Sequence, residues 1–262
     1  MTREAFSLGD GMRGERCVLV IAGTDSSGGA GLVRDVQVIT EFGMRAACAV
    51  TAVTAQTHRQ VDATCLLAPD VVSRQFRAAL RSNPVGAIKI GMLGSGAVVR
   101  AVLDELPDRE KLPIIVDPVL SSSSGAALLD AEGVTLLRDH LLPRCTLVTP
   151  NLIEAAALLG REIASTSAEQ AIQAQELLRF GSEHVLLKGG HGMESEAVDV
   201  LVTRSEAPVY LRSKRLNATM RGTGCALSSA IAALLASGAS MESACRQAKA
   251  YVAKQLLAAA SP

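Results

Sequence analysis

The sequence has few aromatic side chains: no tryptophan, two tyrosines and four phenylalanines in 262 residues. Base-stacking platforms and aromatic cages for cations need several such rings, which argues against both. No sign of charge is in excess, with 26 basic against 26 acidic residues. The electrostatic footprint of a general nucleic-acid or membrane-surface binder is therefore missing, and an anionic ligand has to be met by a local site. The six cysteines (Cys17, Cys48, Cys65, Cys145, Cys225, Cys245) form no CxxC pair and lie scattered, mostly in apolar runs. That pattern points to reduced thiols in the cytoplasm, not to a disulfide framework or a zinc site. There is no internal repeat, low-complexity tract or linker, so residues 17–262 are expected to form one domain. Residues 1–16 alternate charged with small polar residues, lack the apolar core of a secretory signal, and read as a flexible tail.

Apolar residues are plentiful, at 48% hydrophobic against 20% charged, which is the composition of a folded chain. Short β-branched runs alternate with longer segments of helical period, the α/β signature. Strands are expected at 17–22, 47–53, 87–92, 113–117, 146–149 and 184–188, and helices near 30–42, 70–82, 95–106, 131–141, 152–159 and 168–180. The strands are apolar throughout, as in a parallel sheet covered on both faces, and right-handed crossovers would make the sheet doubly wound. The runs 197–204 and 207–213 lie so close together that they predict an antiparallel edge hairpin. Two helices follow, at about 223–237 and 240–259. Gly222 to Met241 carries no charge over twenty residues, about the length of a membrane span, but its Ser, Thr and Gly content favours a buried helix.

In an open parallel sheet, ligands bind beyond the carboxyl ends of the strands, so each polar cluster is judged by whether a strand runs straight into it. The run 17–22 leads into Gly23-Thr24-Asp25-Ser26-Ser27-Gly28-Gly29-Ala30-Gly31. Its glycines permit close backbone approach, although a tight turn would need them anyway. It matches neither the dinucleotide-binding nor the Walker glycine pattern. Other strand exits carry Gln56, Met92, Asp117 with Val119, Asn151 with Glu154, and Lys188 followed by His191. Asn151 also reads as a helix N-cap, and His191 as a turn residue more than a base. Asn and Glu oxygens suit Mg²⁺, and a lysine suits a phosphate. The sharpest signal is Arg221-Gly222-Thr223-Gly224-Cys225 opening an uncharged helix. Free N–H groups at the positive end of a helix dipole make an anion hole. Cys225 lies in its first turn, where thiol pKa values fall; the alternative is a small hydrophobe packed in the core.

In order and spacing, AGTDSSGGAG, VTAVTAQ, KIGML, DPVL, TPNLIEAAALL, KGGH and RGTGCALSSAIAA, spread over about residues 17 to 255, resemble the hydroxymethylpyrimidine and phosphomethylpyrimidine kinases of thiamine biosynthesis, in the ribokinase-like superfamily. The resemblance implies phosphorylation of 4-amino-5-hydroxymethyl-2-methylpyrimidine and of its monophosphate by ATP with Mg²⁺, in a cytoplasmic homodimer. It assigns substrate-ring contacts to Gly23, Asp35, Gln56, Met92 and Val119, with Gln56 at the aminopyrimidine edge. It assigns the Mg·ATP phosphates to Asp117, Asn151 and Glu154, a phosphate contact to Lys188, and the anion hole to Gly222, Thr223, Gly224 and Cys225. Cys225 stands where many relatives carry an aspartate base. Pyridoxal kinases of the same superfamily share several of the motifs, and a non-catalytic pyrimidine-binding homologue is a further alternative. The chain departs from the family pattern at Ser26 (usually Pro), at Thr57-His58-Arg59-Gln60, at Ser121 to Ser124, and at Arg221, where His often precedes the glycine turn.

Overall fold

Runs of β-branched and aliphatic residues form the middle of the structure because a strand covered on both faces has no side on which to place polar groups. The computed structural model describes residues 16–122, 125–190, 196–216 and 220–260. The tail expected at 1–16 lies, but for Arg16, outside the described residues, as do His191, Ser123 and Ser124. The elements in chain order are β1 (Cys17–Asp25), α1 (Gly31–Glu41), β2 (Arg45–Gln56), β3 (Val61–Leu66), α2 (Pro69–Ser82), β4 (Val85–Ile90), α3 (Gly96–Glu105), β5 (Ile114–Val116) and α4 (Ala131–Leu136). They continue with β6 (Leu147–Val148), α5 (Leu152–Leu159), α6 (Ser167–Leu177), β7 (His184–Leu187), β8 (Glu196–Thr203), β9 (Val209–Lys214), α7 (Thr223–Ala236) and α8 (Met241–Ala260).

One sheet runs β3-β2-β1-β4-β5-β6-β7-β8-β9. The six strands expected from the apolar runs, β1, β2, β4, β5, β6 and β7, are mutually parallel. β8 and β9 form the expected antiparallel hairpin, and β8 joins β7 antiparallel. Strand β3 is an addition: it pairs antiparallel with β2 and closes the opposite edge. The departure at 57–60 is the turn between them, where the Thr57 N–H donates to the Gln60 carbonyl at 2.9 Å and the Thr57 hydroxyl oxygen accepts from the Arg59 and Gln60 amides.

Side-chain alternation divides the core into two layers. Leu19 and Ile21 face the layer under α2, α3, α5 and α6, while Val18, Val20 and Ala22 face α1, α7 and α8. The long uncharged stretch is α7, buried against the sheet, α1 and α8, and no helix among the described residues is long and apolar enough to cross a membrane. Lys89 breaks the apolar pattern. It sits in β4, pointing into the α1/α7 layer, at 0% exposure. Its Nζ donates to Asp35 Oδ1 at 2.9 Å and Oδ2 at 2.8 Å, and the Ser229 hydroxyl donates to Asp35 Oδ1 at 2.8 Å. The pair ties β4, α1 and α7 together with charges that water cannot screen.

Breaking such a pair leaves an uncompensated buried charge, so Lys89→Met is expected to destabilise the fold by about 3–5 kcal/mol. Urea unfolding measures this, and Lys89→Met combined with Asp35→Leu should lose less than Lys89→Met alone. A neutral Lys89→Met would show that the pair contributes nothing.

Candidate active site

Parallel strands deliver their following residues to one edge of the sheet, and the exits of β1, β2, β4, β5, β6 and β7 surround a cavity of about 550 Å³. Gly23, Gln56, Met92, Asp117, Val119, Asn151, Glu154, Lys188 and residues 222–225 all line it. Asp35 does not: it lies at 0% exposure beneath the cavity, its carboxylate committed to Lys89 and Ser229. Burial raises the Asp35 carboxyl above its ordinary value, and the Lys89 ammonium limits the rise. The ring contact implied for Asp35 by resemblance is therefore not what the geometry offers; Lys89, which does line the cavity, stands in between.

Helix α7 begins at Gly222 in the left-handed region (φ +71°), and no side chain caps its first turn. The N–H groups there keep their hydrogen-bonding capacity for a ligand. Gly224 lies against the opposite wall: a Cβ added to it would lie 3.0 Å from Lys188 Nζ and 3.3 Å from Asp117 Oδ2. Lys188 leaves β7 with its N–H donating to the Pro150 carbonyl at 2.8 Å, and its Nζ meets Asp117 Oδ1 at 2.7 Å. Burial works against this ammonium, but Asp117 and Glu154 outweigh it and raise Lys188 above its ordinary value.

Asn151 is the N-cap that the sequence suggested. Its side chain accepts from the Glu154 N–H at 2.9 Å, and Glu154 Oε2 accepts from the Asn151 N–H at 2.8 Å, a reciprocal capping box that fixes both groups at the cavity. Burial pushes the Glu154 carboxyl up to about 7, with Lys188 opposing and Asp117 reinforcing. The expectation of an acidic Cys225 is overturned. Burial pushes its thiol up to about 11, and the nearby Asp35 and Asp117 charges offset the help of Lys89 and the Gly31 amide. At neutral pH Cys225 is a thiol.

At the other end, Gln56 Oε1 accepts from Arg221 Nη2 at 3.2 Å, and Arg221 Nη1 donates to the Thr57 carbonyl. Two parts of the wall went unforeseen. Asp199 of β8 accepts from the Gly189 N–H at 2.9 Å and pairs with Lys249 of α8 at 2.8 Å. Val252, Ala253 and Leu256 of α8 add an apolar strip. Lys89 did leave a trace, since a lysine inside an apolar strand must find a buried partner.

The family model described as phosphomethylpyrimidine kinase matches residues 25–261. This chain belongs to that family. As a member it is a phosphotransferase, and its fold is the ribokinase-like one. It is 41% identical over 242 residues to the hydroxymethylpyrimidine/phosphomethylpyrimidine kinase of Rhizobium meliloti strain 1021, covering 92% of this chain and 90% of that one. Among solved structures, the phosphomethylpyrimidine kinase of Clostridium difficile 630 is 32% identical, with 92% of this chain and 99% of that chain covered and a TM-score of 0.80. The Staphylococcus aureus pyridoxal kinase in complex with AMP-PCP and pyridoxal is 28% identical, with 93% and 88% covered and a TM-score of 0.83.

The carboxyl of Glu154 titrates near 4.5 when exposed and near 7 when folded. Between those values the folded chain holds more protons than the unfolded one, so stability falls as pH rises, by roughly 3 kcal/mol in total. Glu154→Gln keeps the cap acceptor and should remove that fall. Urea midpoints from pH 4.5 to 8 in metal-free buffer test this; an unchanged slope would assign the dependence elsewhere.

Proposed function

We propose that this kinase transfers the γ-phosphoryl group of ATP to the hydroxymethyl oxygen of 4-amino-5-hydroxymethyl-2-methylpyrimidine, and then a second γ-phosphoryl group to the resulting monophosphate. The observation that carries the reading is the approach of Gly224 to Lys188 and Asp117, which sets uncapped helix amides opposite an ammonium. Phosphoryl transfer passes through a loose transition state, so positioning and charge stabilisation supply most of the acceleration. The amides of Gly222, Thr223, Gly224 and Cys225 would hold the migrating group, and Lys188 would leave Asp117 to neutralise its charge. Cys225, a neutral thiol, would orient the attacking hydroxyl, whose proton passes to solvent or to a phosphate oxygen. Gly23, Gln56, Met92 and Val119 would hold the ring.

Burial drives the Glu154 carboxyl up and the neighbouring Asp117 charge adds to the rise; a divalent cation beside the two carboxylates would offset both. Among the described residues no three acidic, histidine or cysteine side chains converge, so Mg²⁺ held on the Asp117, Asn151 and Glu154 side would take its other ligands from phosphate and water. When bound, it would supply charge neutralisation across the β- and γ-phosphate oxygens. We also propose a cytoplasmic homodimer. Six free cysteines support a reducing compartment, and sedimentation should give twice the chain mass.

Labelled ATP with a panel of the pyrimidine, its monophosphate and pyridoxal tests the assignment. Transfer to both pyrimidine substrates is expected. Gly224→Pro, which removes an amide and reshapes the turn, should lose about 100-fold or more in kcat. Cys225→Ala should lose about tenfold or less, since a loose transition state asks little of a base. Wild-type rates in Gly224→Pro would refute the anion hole. Transfer to pyridoxal alone would make this a pyridoxal kinase, and pyrimidine binding without ADP release a non-catalytic homologue.

A further inference from the structure

We propose that Arg221 is a specificity-determining residue. By occupying the side-chain oxygen of Gln56, it fixes which way that amide faces and so which hydrogen-bond pattern the ring pocket accepts. The inference rests on the pyrimidine reading given above.

A guanidinium carries donors and no acceptor. The Gln56 atom that meets Arg221 Nη2 at 3.2 Å must therefore be the oxygen. The same guanidinium is itself aimed from two sides. Its Nη1 donates to the Thr57 carbonyl, and Asp25 Oδ2 lies 3.6 Å from Nη2. Asp25 is only 2% exposed. Its Oδ1 is committed to the Ser27 amide and hydroxyl at 2.8 and 2.7 Å, while Oδ2 has no hydrogen-bond partner among the described residues. A buried carboxylate thus orients the guanidinium, and the guanidinium orients the amide.

The backbone of Gln56 is fixed separately. Its N–H donates to Ser26 Oγ at 2.8 Å, and the Ser26 hydroxyl donates to its carbonyl at 2.9 Å. What remains free is the side chain, whose terminal amide can present its oxygen or its NH₂ to either side. Arg221 removes that freedom. Gln56 lines the cavity, and its Nε2 has no hydrogen-bond partner among the described residues, so it presents two donors and one spare lone pair of Oε1.

An aminopyrimidine edge places a ring-nitrogen acceptor beside an exocyclic amino donor. The fixed amide satisfies both, with Nε2 donating to the ring nitrogen and Oε1 accepting from the amino group. In the 4-oxo counterpart the order is reversed: a ring N–H beside a carbonyl. Matching it would require the amide to flip, which would turn its NH₂ toward the guanidinium, donor against donor. A site with a fixed hydrogen-bonding group rejects the mismatched ligand strongly, whereas a free amide adapts by rotating.

The test compares the amino pyrimidine with its 4-oxo counterpart, by calorimetric binding without nucleotide and by kcat/KM with ATP, in the full chain. The wild type is expected to prefer the amino form by about 100-fold or more. In Arg221→Leu the preference should shrink by at least about tenfold. Arg221→Gln, which can donate or accept and so leaves Gln56 free, should shrink it similarly and serves if the leucine variant does not fold. If both variants weaken the two ligands in parallel and leave the preference within about twofold of wild type, Arg221 is a packing residue and the inference is overturned. If the wild type binds neither pyrimidine, the substrate reading fails and this inference with it; amino-form binding with unaltered selectivity in the variants overturns the inference alone.

Discussion

The first turn of α7 can face Lys188 and Asp117 across a gap no wider than a missing methyl group because position 224 has no side chain. The other site features depend on that approach. It needs a helix entered through a left-handed glycine, with no polar side chain competing for its amides. It also needs β5 and β7 to end at the same level, so that Asp117 and Lys188 meet at 2.7 Å. A parallel sheet supplies this, since its strands end on one side and every crossover returns to the other.

The chain is neutral overall, yet its interior charge is concentrated. The buried charged residues among those described are Asp25, Asp35, Lys89, Asp117, Glu154, Asp199 and Lys249. Each lines the cavity except Asp35, which pairs with a residue that does. Elsewhere the described core is uncharged. Ionised groups out of water are tolerated where partners or a ligand compensate them, and the upward shifts of Glu154 and Cys225 show that compensation here is incomplete.

Much of this was legible in the sequence because the strands are apolar on both faces. The six parallel strands, the edge hairpin and the helices α1 to α8 followed from run length and period; the rule that ligands sit beyond strand ends gathered Gly23, Gln56, Met92, Asp117, Val119, Asn151, Glu154 and Lys188, and the glycine turn opening an uncharged helix marked Gly222 to Cys225. What escaped had physical reasons. Strand β3, Val-Asp-Ala-Thr-Cys-Leu, is short and largely exposed, so no continuous apolar run marks it. Asp35 and Lys89 are 54 residues apart, and nothing local says that the helix carboxylate turns into the core instead of toward the ligand. Cys225 was misjudged because helix position lowers a thiol pKa only while solvent or positive charge supports the thiolate. Enclosed between Asp35 and Asp117, it does not benefit.

Asp199 holds two elements at once, with one oxygen on the Gly189 amide and the other on Lys249. The turn that delivers Lys188 is thereby fastened to α8, whose apolar strip forms another part of the same wall. One carboxylate therefore sets the spacing between the chain segment that follows Lys188 and the helix that walls the far side of the cavity.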